Sequence, residues 1–303
     1  MKGVTIALAS CMFLGMQPVF SKVLLGYMPP IVLAALTSFS AALILVSILG
    51  IEHKIDEIKA LTKKQVIILG VIGIMSGIMA QLFYVTGLNQ STATNAVLIT
   101  RLNSLLIALM GVVFLKEKLT FNHIIGSVFM FTGVVIIATK NFTVDVQATR
   151  GDFLLILTAV CWASSNIIMK KYLCDIPPEV IVIGRHALAG IVLSAITINQ
   201  IPAIITLEML AFLAGLVVLV ILVGQYLWYY ALEHTSAENV GLTSLTIPFF
   251  GVIYSVILLG EQLMQYQVTG GLLIIIGLTA VEIQLSKLHD IECRIRSWHH
   301  PHH

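Results

Sequence analysis

Ten runs of mostly apolar residues, each close to the ~20 that a helix needs to cross the hydrocarbon of a bilayer, occupy nearly the whole chain. They fall near residues 3–25, 31–51, 66–88, 92–115, 121–139, 151–173, 179–199, 207–232, 237–259 and 266–286. In lipid every backbone polar group needs a partner within the protein, so such runs cross as helices. Turn signals separate several of them: Met28-Pro29-Pro30, Ile176-Pro177-Pro178 and Lys116-Glu117-Lys118. Composition agrees, with 58% hydrophobic and only 11% charged residues, against about 25% charged in soluble domains. So few charges exclude an ordinary cytosolic enzyme, a nucleic-acid binder and a disordered or collagen-like chain. The net charge of +2 gives no reason to expect an anionic polymer as partner. Cys11, Cys161, Cys174 and Cys293 lack CxxC spacing and read as small core residues; no cofactor or metal site is expected. The first run is too long for a cleaved signal peptide and has no small-x-small cleavage site.

Lys and Arg set the orientation. With the N-terminus inside, the interior segments hold Lys2, Lys54, Lys59, Lys63, Lys64, Lys116, Lys118, Lys170, Lys171, Lys287, Arg294 and Arg296. The exterior holds Lys22, Lys140 and Arg150, leaving Arg101 and Arg185 within spans. Both termini are therefore expected in the cytoplasm, with the chain multi-pass in the cytoplasmic (inner) membrane. Ile55, Ile58 and Leu61 at three-residue spacing suggest a short helical turn lying on the inner leaflet.

The chain also aligns with itself. Residues 81–133 match residues 225–277 without a gap, with identities at Gln81/Gln225, Leu88/Leu232, Ala93/Ala237, Asn95/Asn239, Leu98/Leu242, Glu117/Glu261, Leu119/Leu263, Gly126/Gly270 and Gly133/Gly277. Earlier, Pro29-Pro30 matches Pro177-Pro178, Lys22 matches Lys171, and Gln17 stands opposite Asn166. Each half thus holds five spans, and five is odd, so the second copy enters the membrane upside down. The expected fold is all-α integral membrane, ten transmembrane helices as two inverted five-helix repeats, over residues 1–140 and 150–286 with a cytoplasmic tail at 287–303. Inverted repeats build midplane sites in secondary transporters and lend themselves to alternating access.

These residues resemble the EamA-type transporters of the drug/metabolite transporter superfamily. Leu115-Lys116-Glu117-Lys118-Leu119 with Gly126 and Gly133 resembles that family's LxExL…G…G signature, and Leu259-Gly260-Glu261-Gln262-Leu263 with Gly270 and Gly277 does so more closely. Cys161-Trp162-Ala163-Ser164-Ser165-Asn166 with Lys171, and Phe13-Leu14-Gly15 through Lys22, resemble the opening of each repeat. Arg185 and Pro248 sit where the family favours Arg and Pro, although the first half has Thr37 and Ser104 there. The resemblance spans roughly residues 3–286. It implies a ten-span carrier, and many such carriers export amino acids and other metabolites.

Charges inside spans are costly and face a protein interior or wet cavity. Arg101 lies near the middle of span four with no acidic residue at midspan to pair it. It either receives a carboxylate from the substrate, bidentately, or bonds backbone groups of neighbouring helices. Thr100, Asn103 and Ser104 flank it, and Asn239, Thr243 and Thr246 form a stripe in span nine. Gln81 with Tyr84, and Gln225 with Trp228 and Tyr229, form matched polar-aromatic patches that would suit a cavity wall. Trp162 is too deep for an interfacial anchor, and Gln17 and Asn166 occupy equivalent places. The substrate-contact set is therefore Arg101, Asn103, Gln17, Asn166, Gln81, Gln225, Tyr84, Trp228, Asn239 and Trp162. Glu117 and Glu261, each after a span, are assigned structure or gating through a following helix N-terminus. Arg185, His186 and Pro248 join them in that class. Gly126, Gly133, Gly270 and Gly277 at seven-residue spacing suit close packing against neighbouring spans or, in a homodimer, against another protomer.

Carrier function follows, for small polar or amphipathic metabolites, amino acids or related carboxylates first, with export favoured. A nucleotide-sugar or phosphate-ester exchanger would require more cavity Lys and Arg than the two in the spans. A membrane enzyme would require clustered Asp, Glu or His, and no DxxD, HxxxH or Ser-His-Asp arrangement stands within the spans. A scaffold would not need matched polar residues in inverted halves. The expected partners are a small-molecule substrate and the lipid bilayer, not nucleic acid. Span one has no acidic residue, and only His186 is placed to titrate midspan.

Overall fold

The computed structural model describes residues 2–51, 58, 60–115, 121–139, 146–173, 176–200, 206–234, 243–244 and 246–280. Among these there is no strand. Seven helices are long and apolar enough to cross a membrane: α1 (Gly3–Leu24), α2 (Pro30–Ile48), α3 (Lys63–Gln90), α4 (Ala93–Phe114), α6 (Arg150–Tyr172), α7 (Val180–Gln200) and α8 (Leu207–Trp228). Three shorter apolar helices complete the set, α5 (Ile124–Ile137), α9 (Ile247–Leu259) and α10 (Gln265–Ala280). Each lies on one of the ten apolar runs of the sequence; of the ninth run, residues 237–242 and 245 lie outside the described residues. The helix starts are chemically marked. Thr62 and Gln65 form a reciprocal capping box at α3, Thr92 accepts the Asn95 amide at α4, and Thr206 accepts the Met209 amide at α8. Gly260 ends α9 in the left-handed region at φ 66°, where a side chain would be strained.

Several helices are irregular, and at related positions. α3 widens into a π-helical segment at Gly73–Met79, and α8 does so at Gly215–Gly224. A shift of 144 residues lays the first segment inside the second. α1 breaks at Met16, with Pro18 in the next turn. α4 breaks at Thr100-Arg101, between stretches Ala93–Ile99 and Leu102–Leu115. There the Asn103 and Ser104 amides reach back only three residues, to Thr100 O and Arg101 O at 3.1 Å each.

Helix pairing follows the same exchange of halves. α1 packs on α8 and α9, whereas α6 packs on α3 and α4; α2 pairs with α7, and α4 with α9. The Ser10 hydroxyl in α1 donates to Gly224 O in α8 (2.7 Å), and Thr158 in α6 donates to Ala80 O in α3 (3.4 Å). α5 and α10 cross antiparallel on bare backbone. A Cβ on Gly133 would stand 2.5 Å from Gly270 O, and one on Gly277 2.5 Å from Gly126 O. The four matched glycines are thus spent on one another within a single chain, letting the two backbones touch.

The core runs through α4, whose Val97, Leu98 and Ile99 pack with Leu33 of α2, Leu88 of α3, Met130 of α5 and Ile274 of α10. Large apolar side chains remain on the outside, among them Phe121, Phe131, Ile191, Leu207 and Ile257, as a lipid-facing surface requires. Ile58 and Leu61 turn inward, onto Ile72, Leu173, Ile176, Val180 and Ile181. Ile55, the third residue of the expected inner-leaflet turn, lies outside the described residues.

Candidate functional site

The break in α4 sets the middle of the site. Arg101 stands on it, half-buried, and its charge reaches Cys11 of α1 and Tyr84 of α3. The guanidinium follows the carbonyl end of Ala93–Ile99, where a cation is favoured, and precedes the amide end of Leu102–Leu115, where an anion is favoured. Across from it Cys11 Sγ donates to Thr243 O (3.4 Å), which also receives the Thr246 amide (3.0 Å) and hydroxyl (2.7 Å). The backbone is therefore irregular just before α9, and Thr243 and Thr246 do not stand as a stripe on one continuous helix. Asn239, the third member of that stripe, lies outside the described residues.

The aromatic residues separate into two places. Tyr84 is buried with its ring 5.8 Å from Trp162 of α6, tilted by 35°. Trp228, its counterpart in α8, packs on Ile6, Ala7 and Ala231 in a separate apolar cluster. Gln81 lies on the Tyr84 face of α3 and Asn166 on the Trp162 face of α6, each about one turn away and half-buried. Gln17 opens the second stretch of α1, also half-buried. Two buried acceptors, Asn103 Oδ1 and Gln225 Oε1, meet no donor among the described residues. An unmet buried acceptor costs about 1–3 kcal/mol, so these atoms are where a bound solute or water has most to offer.

Arg185 is held by backbone shape. A Cβ on Gly77, inside the π segment of α3, would lie 2.6 Å from Arg185 O and 3.2 Å from its Cγ. Its Nη2 stands 3.4 Å from His186 Nε2, while His186 Nδ1 is buried and meets no hydrogen-bond partner among the described residues. The first-half counterpart Thr37 instead bonds its own helix at Leu33 O. Pro248 is buried in the first turn of α9.

A second polar group gathers at the end of the bundle where α1, α3 and α9 finish and α4, α6 and α10 begin. Glu261 accepts from the Ala93 amide (2.7 Å) and the Thr94 amide (3.0 Å), so it caps α4. From the sequence, the helix following Glu261 was expected to be its partner. Instead the carboxylate reaches back across the chain to a helix of the other half, whose free amides are nearer in space. Glu117 lies outside the described residues. Lys22 closes the adjoining end of α3, donating to Leu88 O (2.6 Å), Asn89 O (3.3 Å) and Ser91 O (2.5 Å). The α3–α4 turn is thus held by a cation on its carbonyl side and an anion on its amide side.

Beside them Asp152, fully buried at the start of α6, accepts from the Ser91 hydroxyl and from Asn95 Nδ2 at both oxygens (3.2 Å each). Gln267 of α10 donates to Asn95 Oδ1 at 2.7 Å. A cavity of about 280 Å³ adjoins the group, lined by Lys22, Ser91, Thr92, Asn95, Asp152 and Tyr266 among others. Asp152, Asn95 and Gln267 were not singled out from the sequence. Asn95 carried a signal, its identity with Asn239 in the repeat. Asp152 carried little, since a carboxylate in the first turn of a span is also what a solvated helix start looks like.

Comparison with known proteins agrees with this architecture. The model of the EamA-like transporter family matches residues 1–139 and 149–282. An uncharacterized transporter of Methanothermobacter thermautotrophicus is 27% identical over 89% of this chain and 83% of its own length. The uncharacterized transporter YyaM of Bacillus subtilis is 29% identical, covering 85% and 86%. A probable amino-acid metabolite efflux pump of Salmonella typhimurium is 26% identical over 56% of this chain and 60% of its own. A solved crystal structure superposes with a TM-score of 0.67 at 18% identity, over 96% of this chain and 99% of that one, and so shares the fold. These relatives are transporters, not enzymes. The chain belongs to the EamA-like transporter family, within the drug/metabolite transporter superfamily, and is a multi-pass membrane transporter.

Proposed function

We propose that the protein is a secondary or facilitative carrier of small polar or amphipathic metabolites, with amino acids and related carboxylates foremost, working by alternating access. The observation that carries this reading is Arg101 at a break inside a membrane-spanning helix, with its charge felt at Cys11 of α1 and Tyr84 of α3. Broken helices aim their free amide and carbonyl ends at the solutes that transporters bind. A guanidinium adds a fork that matches a carboxylate in two hydrogen bonds. Asn103 and Gln225 offer acceptors suited to an ammonium group, and the Tyr84–Trp162 pair offers a face for an apolar side chain. The 26% identity with a probable amino-acid metabolite efflux pump favours export as the direction.

Two inverted five-helix repeats, over 1–140 and 150–286, supply the alternation. Support comes from the helix pairing, which maps onto itself when the halves are exchanged, and from the paired π segments of α3 and α8. The Lys and Arg distribution favours both termini in the cytoplasm, which puts the Lys22–Asp152–Glu261 end on the outside. The proteoliposome test uses radiolabelled amino acids, with and without a pH gradient. Uptake of amino acids but not of their amides, lost in Arg101→Gln, is the expected result. Unchanged affinity in Arg101→Gln would remove the carboxylate reading.

A further inference from the structure

The polar group at the outer end joins three helices through a chain of hydrogen bonds with one direction. The Met264 amide donates to Gln267 Oε1 (3.0 Å), which obliges Gln267 to present Nε2 to Asn95 Oδ1 (2.7 Å). That in turn obliges Asn95 to present Nδ2 to both oxygens of Asp152. A backbone amide only donates, so neither side-chain amide can flip without losing a bond. The chain runs α10 to α4 to α6 and ends on a carboxylate, which accepts without donating.

We infer that this is a proton-operated latch on the outer gate, with Asp152 as the group that takes the proton. The inference rests on the carrier reading and its orientation. Ionised Asp152 completes the chain with charge-assisted bonds, roughly twice as strong as neutral ones. A proton delivered from the outer aqueous phase, by way of the adjoining cavity, forms an O–H bond on one carboxylate oxygen. That removes the charge and sets a donor against the Asn95 amide, so the tie between α4 and α6 weakens and the outer end is free to part. Lys22 and Tyr266 also face this cavity, Glu261 acts on both, and Asp152 acts on Tyr266. Lys22 of α1 is held by three carbonyls of the α3 end, Glu261 by two α4 amides, and Tyr266 of α10 feels both carboxylates. Asp152 differs in that its protonation sets a donor at the end of a chain whose direction the Met264 amide fixes. It also offers a carboxylate, which the middle of the spans lacks in sequence.

Spin-label distances across the outer end test this without any substrate. Labels go on Asn89→Cys and Met264→Cys, both exposed, in a background whose four native cysteines are replaced by Ser, reconstituted in lipid nanodiscs. The expected result is a population several ångström longer at pH 5.5 than at pH 8. Asp152→Asn shows the longer population at both pH values, and Asp152→Glu retains the response. Ser91→Ala removes one donor from the ionised form, so its transition moves to higher pH, by about one unit. Glu261→Gln keeps a pH response. An identical distribution at the two pH values, or a pH response surviving in Asp152→Asn, overturns the latch. Arg101→Gln leaves the distances responsive to pH, so failure of the carboxylate reading is told apart from failure of this one.

Discussion

Helices α4 and α9 occupy matched places in the two halves, 144 residues apart in register, and in both a helical stretch starts partway along the apolar run, at Leu102 and at Ile247. The means differ. α9 begins with Pro248 in its first turn, which has no amide to donate, after a turn whose Thr243 carbonyl collects a thiol, an amide and a hydroxyl. α4 has Ser104 at the Pro248 position and breaks instead at Thr100-Arg101, where Thr100 turns its hydroxyl back to Ala96 O (2.7 Å). Backbone geometry is shared between the halves, whereas the charge is confined to one. Alternation between two states needs the first kind of likeness. Recognition of a charged solute needs only one guanidinium, and a second facing it would repel.

The greatest loss is expected where α4 depends on the other half. Glu261→Ala strips the acceptor from the Ala93 and Thr94 amides at a part-buried helix end. Leaving such groups unmet costs about 2–4 kcal/mol. The melting temperature in detergent should fall by several degrees, with Thr92→Ala costing only about 1 kcal/mol. Equal effects from the two variants would mean that α4 caps itself and that the reach across the halves contributes nothing.

Next in size is the charge itself. Arg101→Gln should weaken binding of a carboxylate substrate about 30- to 100-fold, the worth of a bidentate charged pair beyond a neutral bond. Arg101→Lys should recover part of this, since a point charge lacks the fork. Isothermal titration with an amino acid and its amide separates charge from shape.

The comparison also explains what the sequence disclosed. Apolar run length gave all ten helices, because lipid leaves the backbone no other choice. The repeat gave the glycine pairs and drew attention to Glu261, since identity through polar positions is rare in apolar spans. It did not give their partners. Gly133 faces Gly270 and not its equivalent Gly277, and Glu261 caps α4 and not the helix it precedes. Periodicity along one helix also carried Thr243 and Thr246 into a single stripe, because a break in backbone hydrogen bonding leaves no trace in hydropathy. Asp152 stayed unmarked for a related reason: burial of a helix start is decided by what folds over it. Tyr84 and Trp162 stand 78 positions apart in the sequence, and only the packing of α3 on α6 makes them a pair.

Pro248→Ala probes the irregular half from the other side. Restoring an amide at 248 allows α9 to wind further back toward Thr243. A more continuous helix bends less readily, so turnover should fall several-fold while affinity changes little. A KM effect as large as the kcat effect would assign Pro248 to the binding surface.

The smallest effect is expected from giving α4 the device that α9 uses. In an intact helix a central proline costs about 3 kcal/mol, through a lost hydrogen bond and a clash with the carbonyl four residues back. Ser104 stands in the first turn after a break, and its amide reaches only Arg101 O, three residues away. Ser104→Pro forfeits that one bond and presses Asn103 toward extended geometry, for a cost of about 1 kcal/mol. Arg101 keeps its place, so carboxylate affinity should hold within about threefold, ~0.7 kcal/mol. Thermal denaturation and substrate titration on the same preparation read both quantities. A loss near 3 kcal/mol would mean that α4 is continuous in the membrane, and would remove the likeness with α9 on which the midplane site depends.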